Sequence, residues 1–327
     1  MTTLSSPRST STTPAAPRTP VRKGGAGLKA RLRRHWQMYA MLALPLLWLA
    51  IFAYWPMYGV IIAFKDFNIV DGIWGSPWVG LKHFERFTDS YLFWRLIRNT
   101  VVLHVYELVA TFPLPIILAL ALNLVRRRWY NRSVQLITYA PHFISTVVVV
   151  GIIVVLVDPT SGVVTRLTDL LGLPTFDLLG NPESFRHLYV WSGAWQTMGF
   201  TAIIYLAALT SVDPELHEAA VVDGASRLRR IWHIDLPAIR PVAVVLLILN
   251  VGTILTVGFE KVLLMQNNLN LHASEVIDTY VYKVGLEAQI PQFSYATAIG
   301  LFRSVVGLAL LVVANSMARR FAKSSLW

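Results

Sequence analysis

Long apolar runs alternating with polar segments organise this chain. Four stretches, Met38 to Phe64, Val134 to Val157, Leu188 to Val212 and Pro241 to Phe259, contain no Asp, Glu, Lys or Arg. Two more are nearly as clean: Asn99 to Val125 carries only Glu107, and Phe293 to Ala318 carries only Arg303. A bilayer core about 30 Å thick needs roughly 20 residues of apolar helix to cross it. The pattern therefore predicts an all-α integral membrane protein with six transmembrane helices. The first run is too long for a signal peptide, follows more than thirty hydrophilic residues and lacks a small-residue cleavage site.

Composition agrees: 55% of residues are hydrophobic and 14% charged, a balance that a water-soluble domain of 327 residues would not keep in solution. There is no cysteine, which excludes disulfides, thiolate catalysis and cysteine-ligated zinc. No metal site is expected.

The net charge of +11 is explained by where the cations sit. The segment up to Arg34 has eight, Arg126 to Ser133 has four with no acid, Glu215 to Pro241 has four, and the stretch after Ala318 has three. The alternate connections are balanced or acidic: Lys65 to Ile97 has four of each sign, while Asp158 to His187 and Glu260 to Gln292 each have two cations against four acids. Cytoplasmic flanks carry the excess of Lys and Arg. The expected topology is a multi-pass membrane protein with both termini cytoplasmic. Because orientation accounts for most of the charge, nucleic acid is not expected as a partner; membrane lipid is. Residues 1–34, rich in Ser, Thr, Pro and Gly, are expected to be a disordered cytoplasmic tail, and 35–327 the membrane domain.

One polar island, "ELHEAAVVDGASRLRRIWHIDLPAIRP" (Glu215 to Pro241), interrupts the last two pairs of spans. Asp213 is a good N-cap, Pro214 suits a first helical position, and Glu215 and Glu218 complement the positive end of the helix they begin. Gly224 can take positive φ and stop that helix; Ser226 can cap a second through "RLRRIWHI", and Pro237 and Pro241 discourage its continuation. The expected product is two short helices at an angle. Leu216, Ala219, Ala220, Leu228, Ile231 and Trp232 give them apolar surface, with Glu218, Arg227, Arg229 and Arg230 outward, a shape suited to a groove on a partner protein.

The spacing Glu218-Ala219-Ala220, three residues, Gly224, nine residues, Ile234-x-Leu236-Pro237 resembles the EAA loop of permease subunits of bacterial binding-protein-dependent ABC importers. Flanking stretches, among them "YAPHFIST", "GFEKVLLMQNNLN", "FSYATAIGLFRSVVGL" and the terminal "SLW", are similar to the LplB-type carbohydrate-importer permeases, from about Trp36 to the C-terminus. The resemblance implies a type I ABC importer (MetI-like) permease fold and uptake of oligosaccharides or polysaccharide fragments. It makes 211–241 a coupling loop, with Glu218, Ala219, Ala220, Asp223, Gly224, Arg227, Ile234, Leu236 and Pro237 docking into a cytoplasmic ATPase. It also implies a second homologous permease subunit, two copies of the ATPase and an extracytoplasmic sugar-binding protein. No cofactor is expected on this chain itself, ATP and Mg being held by the ATPase, and the chain is not expected to be an enzyme: no H-E-x-x-H, G-x-S-x-G or G-x-x-x-x-G-K-[ST] pattern is present.

Polar groups inside the spans are candidates for the substrate path, since each costs free energy in hydrocarbon and tends to face a cavity. His104, Glu107 and Thr111 share one helical face. The fourth span offers Trp191, Trp195, Gln196 and Thr197, the fifth Asn250 and Thr253. Aromatic rings stack on sugar faces, and amides and carboxylates take paired hydroxyls. The same residue types also sit at membrane interfaces or join helices. Arg303 fits a salt bridge to Glu107, a contact with the second permease, or an interfacial position. Phe64 to Asp89 is expected to form a compact outer cap leading to a short surface helix, and Val281 to Ala296 a loop dipping toward the path; both are candidates for touching the sugar-binding protein. A secondary transporter using Glu107 with His104 as a proton relay is the alternative, which leaves the island unexplained.

Overall fold

The computed structural model describes residues 35–322, apart from Arg126 and Thr175. The expected tail, residues 1–34, and the terminal Ser325-Leu326-Trp327 lie outside the described residues. Among the described residues there is no β-strand, only an isolated antiparallel bridge between Lys65 and Trp78. The chain divides into two compact units, residues 1–58 and 59–327. In the first, α1 (Trp36–Leu49) continues through a π-helical turn, Ala50–Tyr54, and a short helix, Trp55–Met57. Pro56 lacks the amide that an α-turn would need there, and a widened turn beside a proline is a usual way to accommodate its ring.

The second unit holds α2 (Lys82–Thr88), α3 (Phe93–Thr111), α4 (Pro113–Leu124), α5 (Arg128–Tyr139), α6 (Thr146–Val157), α7 (Val163–Leu170) and α8 (Pro182–Thr210). It continues with α9 (Pro214–Val222), α10 (Arg227–Arg230), α11 (Leu236–Gly252), α12 (Phe259–Met265), α13 (Leu271–Ser274), α14 (Ile277–Tyr282) and α15 (Phe293–Ala322). Four helical runs, Trp36–Phe64, Phe93–Leu124, Arg227–Gly252 and Phe293–Arg320, are by themselves long and apolar enough to cross a membrane. Two bent pairs, Arg128–Phe143 with Thr146–Val157 and Pro182–Thr210 with Pro214–Val222, bring the number to six if each is one crossing.

Two expectations are corrected. The apolar run Val134 to Val157 is not one straight span: it bends by 99° between Phe143 and Thr146. Pro141 has no amide to donate, the chain tightens into a 3-10 turn over Ala140–Phe143, and Ser145 caps α6 by accepting from the Val148 amide at 3.4 Å. Hydropathy is blind to a cap inside an apolar run. Conversely, Pro237 and Pro241 do not stop the helix after Ser226. α10 passes through a π-helical turn, Ile231–Asp235, into α11, and the continuous run Arg227–Gly252 carries Pro237 just after that widened turn and Pro241 inside α11. The Leu236 amide bonds the Ile231 carbonyl in that turn, making room for a ring that an unbroken α-ladder would clash with. The fifth span therefore ends at Gly252, short of Phe259. α8 begins at Pro182, earlier than Leu188, because Asn181 caps it by accepting from the Glu183 amide.

α8 is the spine of the second unit, packed against α3, α4 and α5, while α11 packs along α15. Buried Tyr189, Val190 and Phe185 of α8 meet Leu103 of α3, Val149 and Ile153 of α6, and Val262 and Met265 of α12. Lower on the same helix, Ala202, Tyr205 and Leu209 pack with Ala119 of α4 and Ile239 of α11. The close approach of α8 to α5 requires Gly199, where a Cβ would lie 2.1 Å from the Thr138 carbonyl oxygen.

The connections are built as tightly. After α6, the Asp158 carboxylate accepts from the hydroxyls and amides of Thr160 and Ser161; these bonds, the Thr160 hydroxyl first, hold its carboxyl well below the usual carboxylate range. In the expected cap, Lys65 donates to the Ile73 carbonyl at 2.8 Å, the Phe64 and Trp78 rings stack, and α2 buries His83 and Phe87. The Phe67 amide ties this cap to the start of α15 through the Ser294 hydroxyl, 2.9 Å away.

Gly199→Val is expected to destabilise the purified protein by on the order of 3 kcal/mol, since neither backbone can yield. Gly300→Ala is the control, its Cβ meeting nothing within 4 Å. Thermal melting in detergent checks both; equal melting temperatures would disprove the close contact.

Candidate translocation cavity and coupling island

In the C-terminal halves of α3 and α8 and near the C-terminal end of α11 the helices part around a cavity of about 230 Å³. His104, Glu107 and Thr111 of α3 line it together, as their spacing predicts, facing Thr197, Thr201 and Tyr205 of α8 and Asn250 of α11. Thr197, Thr201 and Tyr205 recur every four residues, one face of α8. His104 is buried, and its Nε2 donates to the Asn250 carbonyl at 3.1 Å, which satisfies a carbonyl near the C-terminus of α11.

Glu107 has a cationic neighbour in Lys261 of α12. The two flank Gly193: a Cβ there would lie 3.1 Å from Nζ of Lys261 and 3.5 Å from Oε1 of Glu107. Lys261 is buried, donates to the Tyr189 carbonyl at 2.8 Å and stands 4.8 Å from the centroid of that tyrosine ring. Arg303 does not reach Glu107; it pairs with Asp278 of α14.

At one end of the bundle stands the island. α9 starts at Pro214 with Asp213 accepting from the Glu215 amide at 2.9 Å, Gly224 has φ of 75°, and Ser226 accepts from the Arg229 amide. None of the α9 side chains is buried, and Leu216, Val221, Val222, Leu228 and Trp232 are exposed. Glu218 and Arg227 line a 510 Å³ hollow between α9 and the span ends, together with Arg230. Arg230 is half-buried, where the sequence had placed it outward. The hollow closes on Asp235, buried in the π-helical turn: His217 of α9 pairs with it at 3.3 Å, and Asn123 of α4 donates to it at 3.4 Å. One carboxylate thus braces the island against two spans.

The model of the family described as binding-protein-dependent transport system inner membrane component matches residues 111–324. The chain belongs to that family. It is 46% identical over 290 residues to the polygalacturonan/rhamnogalacturonan transport system permease protein YteP of Bacillus subtilis, covering 89% of this chain and 90% of that one. It is 44% identical over 310 residues to Protein LplB of the same organism, with coverage of 94% and 97%. A chain from the crystal structure of a bacterial ABC transporter involved in the import of the acidic polysaccharide alginate superposes with a TM-score of 0.83 at 41% identity, covering 90% of this chain and 99% of that one. A second structure of the bacterial alginate ABC transporter, in complex with an alginate pentasaccharide-bound periplasmic protein, gives 0.84 at 40% identity, with coverage of 91% and 99%. The fold is that of the MetI-like ABC importer permeases.

Within this permease, the residues expected on a substrate path divide. His104, Glu107, Thr111, Thr197 and Asn250 share the cavity. Trp191 and Trp195 are about half exposed on another part of α8, Trp191 donating to the Tyr106 hydroxyl at 3.1 Å. Gln196 donates to the Ile144 carbonyl at the break before α6, and Thr253 to the Asn250 carbonyl where α11 ends. Among the island residues, Glu218, Ala219, Asp223, Gly224, Arg227 and Pro237 are exposed, Ala220 is half-buried on the same helix, and Ile234 and Leu236 are half-buried in the turn that anchors it. Sequence reasoning missed Lys261, Tyr205, His217 and Asp235. The lone cation in "VLLM" company and the acid inside "IWHIDLP" are visible in the sequence, but nothing local to either gives its distant partner.

Glu107→Ala leaves Lys261 buried beside no carboxylate and is expected to cost about 3 kcal/mol, most of it recovered when Lys261→Met is added. Unfolding of the two single variants and the double variant measures the coupling; additive losses would rule it out. Asp235→Ala is expected to cost about 1–2 kcal/mol, discounted for the part-exposed His217, and to raise proteolysis at Gly224. Unchanged digestion would show that the brace does not hold the island.

Proposed function

We propose that this chain is one of two permease subunits of an ATP-driven importer of oligosaccharides or polysaccharide fragments. The island end faces the cytoplasm, as do both termini, because the cations cluster there. The observation that carries the reading is the exposed apolar and acidic surface of α9, set off from α8 by a 73° bend and closed by Gly224. Such a surface suits a cleft on a separate ATPase, two copies of which hold ATP and Mg. Glu218 meets a cation of that cleft, and Gly224 permits the close turn. When the ATPases close, the docked island moves and the His217–Asp235–Asn123 brace carries that movement into α4 and α11, which border the cavity.

The saccharide reading is supported by relatives named for polygalacturonan, rhamnogalacturonan and alginate transport. A sugar-binding protein delivers the cargo at the opposite end, where the Phe64 to Asp89 cap and the Val281 to Ala296 segment lie. The cavity is lined by hydroxyl, amide and imidazole groups suited to sugar hydroxyls. A proton relay through Glu107 and His104 fits less well, since Lys261 neighbours the acid and the imidazole donates to a backbone carbonyl.

The test is reconstitution in liposomes with a second permease, the ATPase and the binding protein. Saccharide uptake should require ATP and vanish with an inactive ATPase; uptake driven by a proton gradient without ATP would refute the importer. Gly224→Asp is expected to leave the protein inserted yet reduce uptake per ATP hydrolysed at least tenfold, measured as the transport-to-hydrolysis ratio. Wild-type uptake by that variant would refute the coupling role.

A further inference from the structure

Several ionic side chains of the second unit are paired within it. Arg95 meets Glu275 at 2.6 Å, Lys283 meets the same carboxylate at 3.7 Å, and Arg303 meets Asp278. Two arginines at the end opposite the island are not paired in this way. Arg98 on α3 and Arg186 on α8 border one pocket of about 480 Å³, and neither has a carboxylate within 4.0 Å among the described residues. Glu183 lines the same pocket yet pairs with neither. The Nε of Arg186 is shielded from solvent and bonds nothing. A buried donor without an acceptor is costly, and its natural complement is an oxyanion.

The walls are fixed. Asn99 spends its amide on the carbonyls of His272 and Glu275, at 2.8 and 3.1 Å, which pins α13 to α3. Arg95, held by buried Glu275, forms the back of the pocket. Trp94 stands at the rim, 75% exposed, a flat face beside the two guanidinium groups. Arginine pairs grip planar carboxylates, and an exposed indole stacks on a pyranose face. Together they match a sugar ring that bears a carboxylate.

We propose that this pocket is a carboxylate subsite which selects uronate-bearing oligosaccharides at the outer mouth of the permease. The proposal rests on the saccharide-importer reading and narrows its cargo to acidic sugars. Arg98 and Arg186 hold the carboxylate, and Trp94 packs on the ring that carries it. The pocket lies on the same two helices as the central cavity: His104 follows Arg98 on α3, and Thr197 follows Arg186 on α8. It therefore sits one to three helical turns above that cavity, about 9–16 Å at 1.5 Å per residue.

The experiment uses the full reconstituted importer in nanodiscs or liposomes with a uronic acid oligosaccharide and its carboxyl-reduced, neutral counterpart. With the wild type, the acidic sugar should show the lower KM. Arg98→Gln and Arg186→Gln should each reduce that preference about tenfold, the scale of one charge-assisted hydrogen bond. Arg98→Lys and Arg186→Lys should restore part of it, and Trp94→Ala should weaken both sugars. If both sugars are transported and the preference is unmoved by either glutamine variant, the subsite is wrong while the importer stands. If neither sugar is taken up with ATP by the wild type, the importer reading itself fails. An equal loss for both sugars that follows the anionic lipid content of the membrane would overturn the proposal, assigning the arginines to lipid phosphate.

Discussion

Lipid offers no hydrogen bonds, so every place where a spanning helix ends or bends within the bundle leaves carbonyls that only protein or water can satisfy. This constraint accounts for the placement of several polar side chains. The break before α6 presents the Ile144 carbonyl, and Gln196 donates to it; the end of α11 presents that of Asn250, and His104 donates to it. Inside α8 itself, the Tyr189 carbonyl takes a further bond from Lys261. His104, brought in to satisfy backbone where α11 ends, also borders the cavity, so there an irregularity of the fold and the hydrophilic interior share one cause.

A second consequence concerns motion. Because α10 and α11 form one run through the π-helical turn, the island is not a loop hung between two spans. One side of it is rigidly continuous with the fifth span, and the other meets the fourth through the capped turn at Asp213. Asp235 adds a lateral tie to α4 through Asn123. A displacement applied to α9 reaches three helices at once, while Gly224, with nothing near its Cα, lets the two arms of the island change angle.

Some of the charge inside this protein is handled in pairs, which lowers its cost in a membrane. Arg303 has Asp278 and Asp235 has His217, while Glu107 and Lys261 are neighbours across Gly193. Arg98 and Arg186 line a pocket at the end of the bundle opposite the island.

The sequence alone was enough to determine the class, the apolar runs, the signs of the flanking charges and, in the island, the caps at Asp213 and Ser226 and the turn at Gly224. All of these are local: a span is a count of apolar residues, and a cap, a glycine turn and a helix start are set by neighbours within four positions. The shared face of His104, Glu107 and Thr111 was legible for the same reason. Only the tertiary structure decided the 99° break in the third crossing, the passage of α11 through two prolines, and the partners of Glu107, Arg303 and Asp235. Those depend on which carbonyl a distant side chain reaches and which cation shares its surroundings. Residues 154 positions apart, such as Glu107 and Lys261, carry no trace of each other in hydropathy or spacing, because the low dielectric that couples them exists only once the helices have packed.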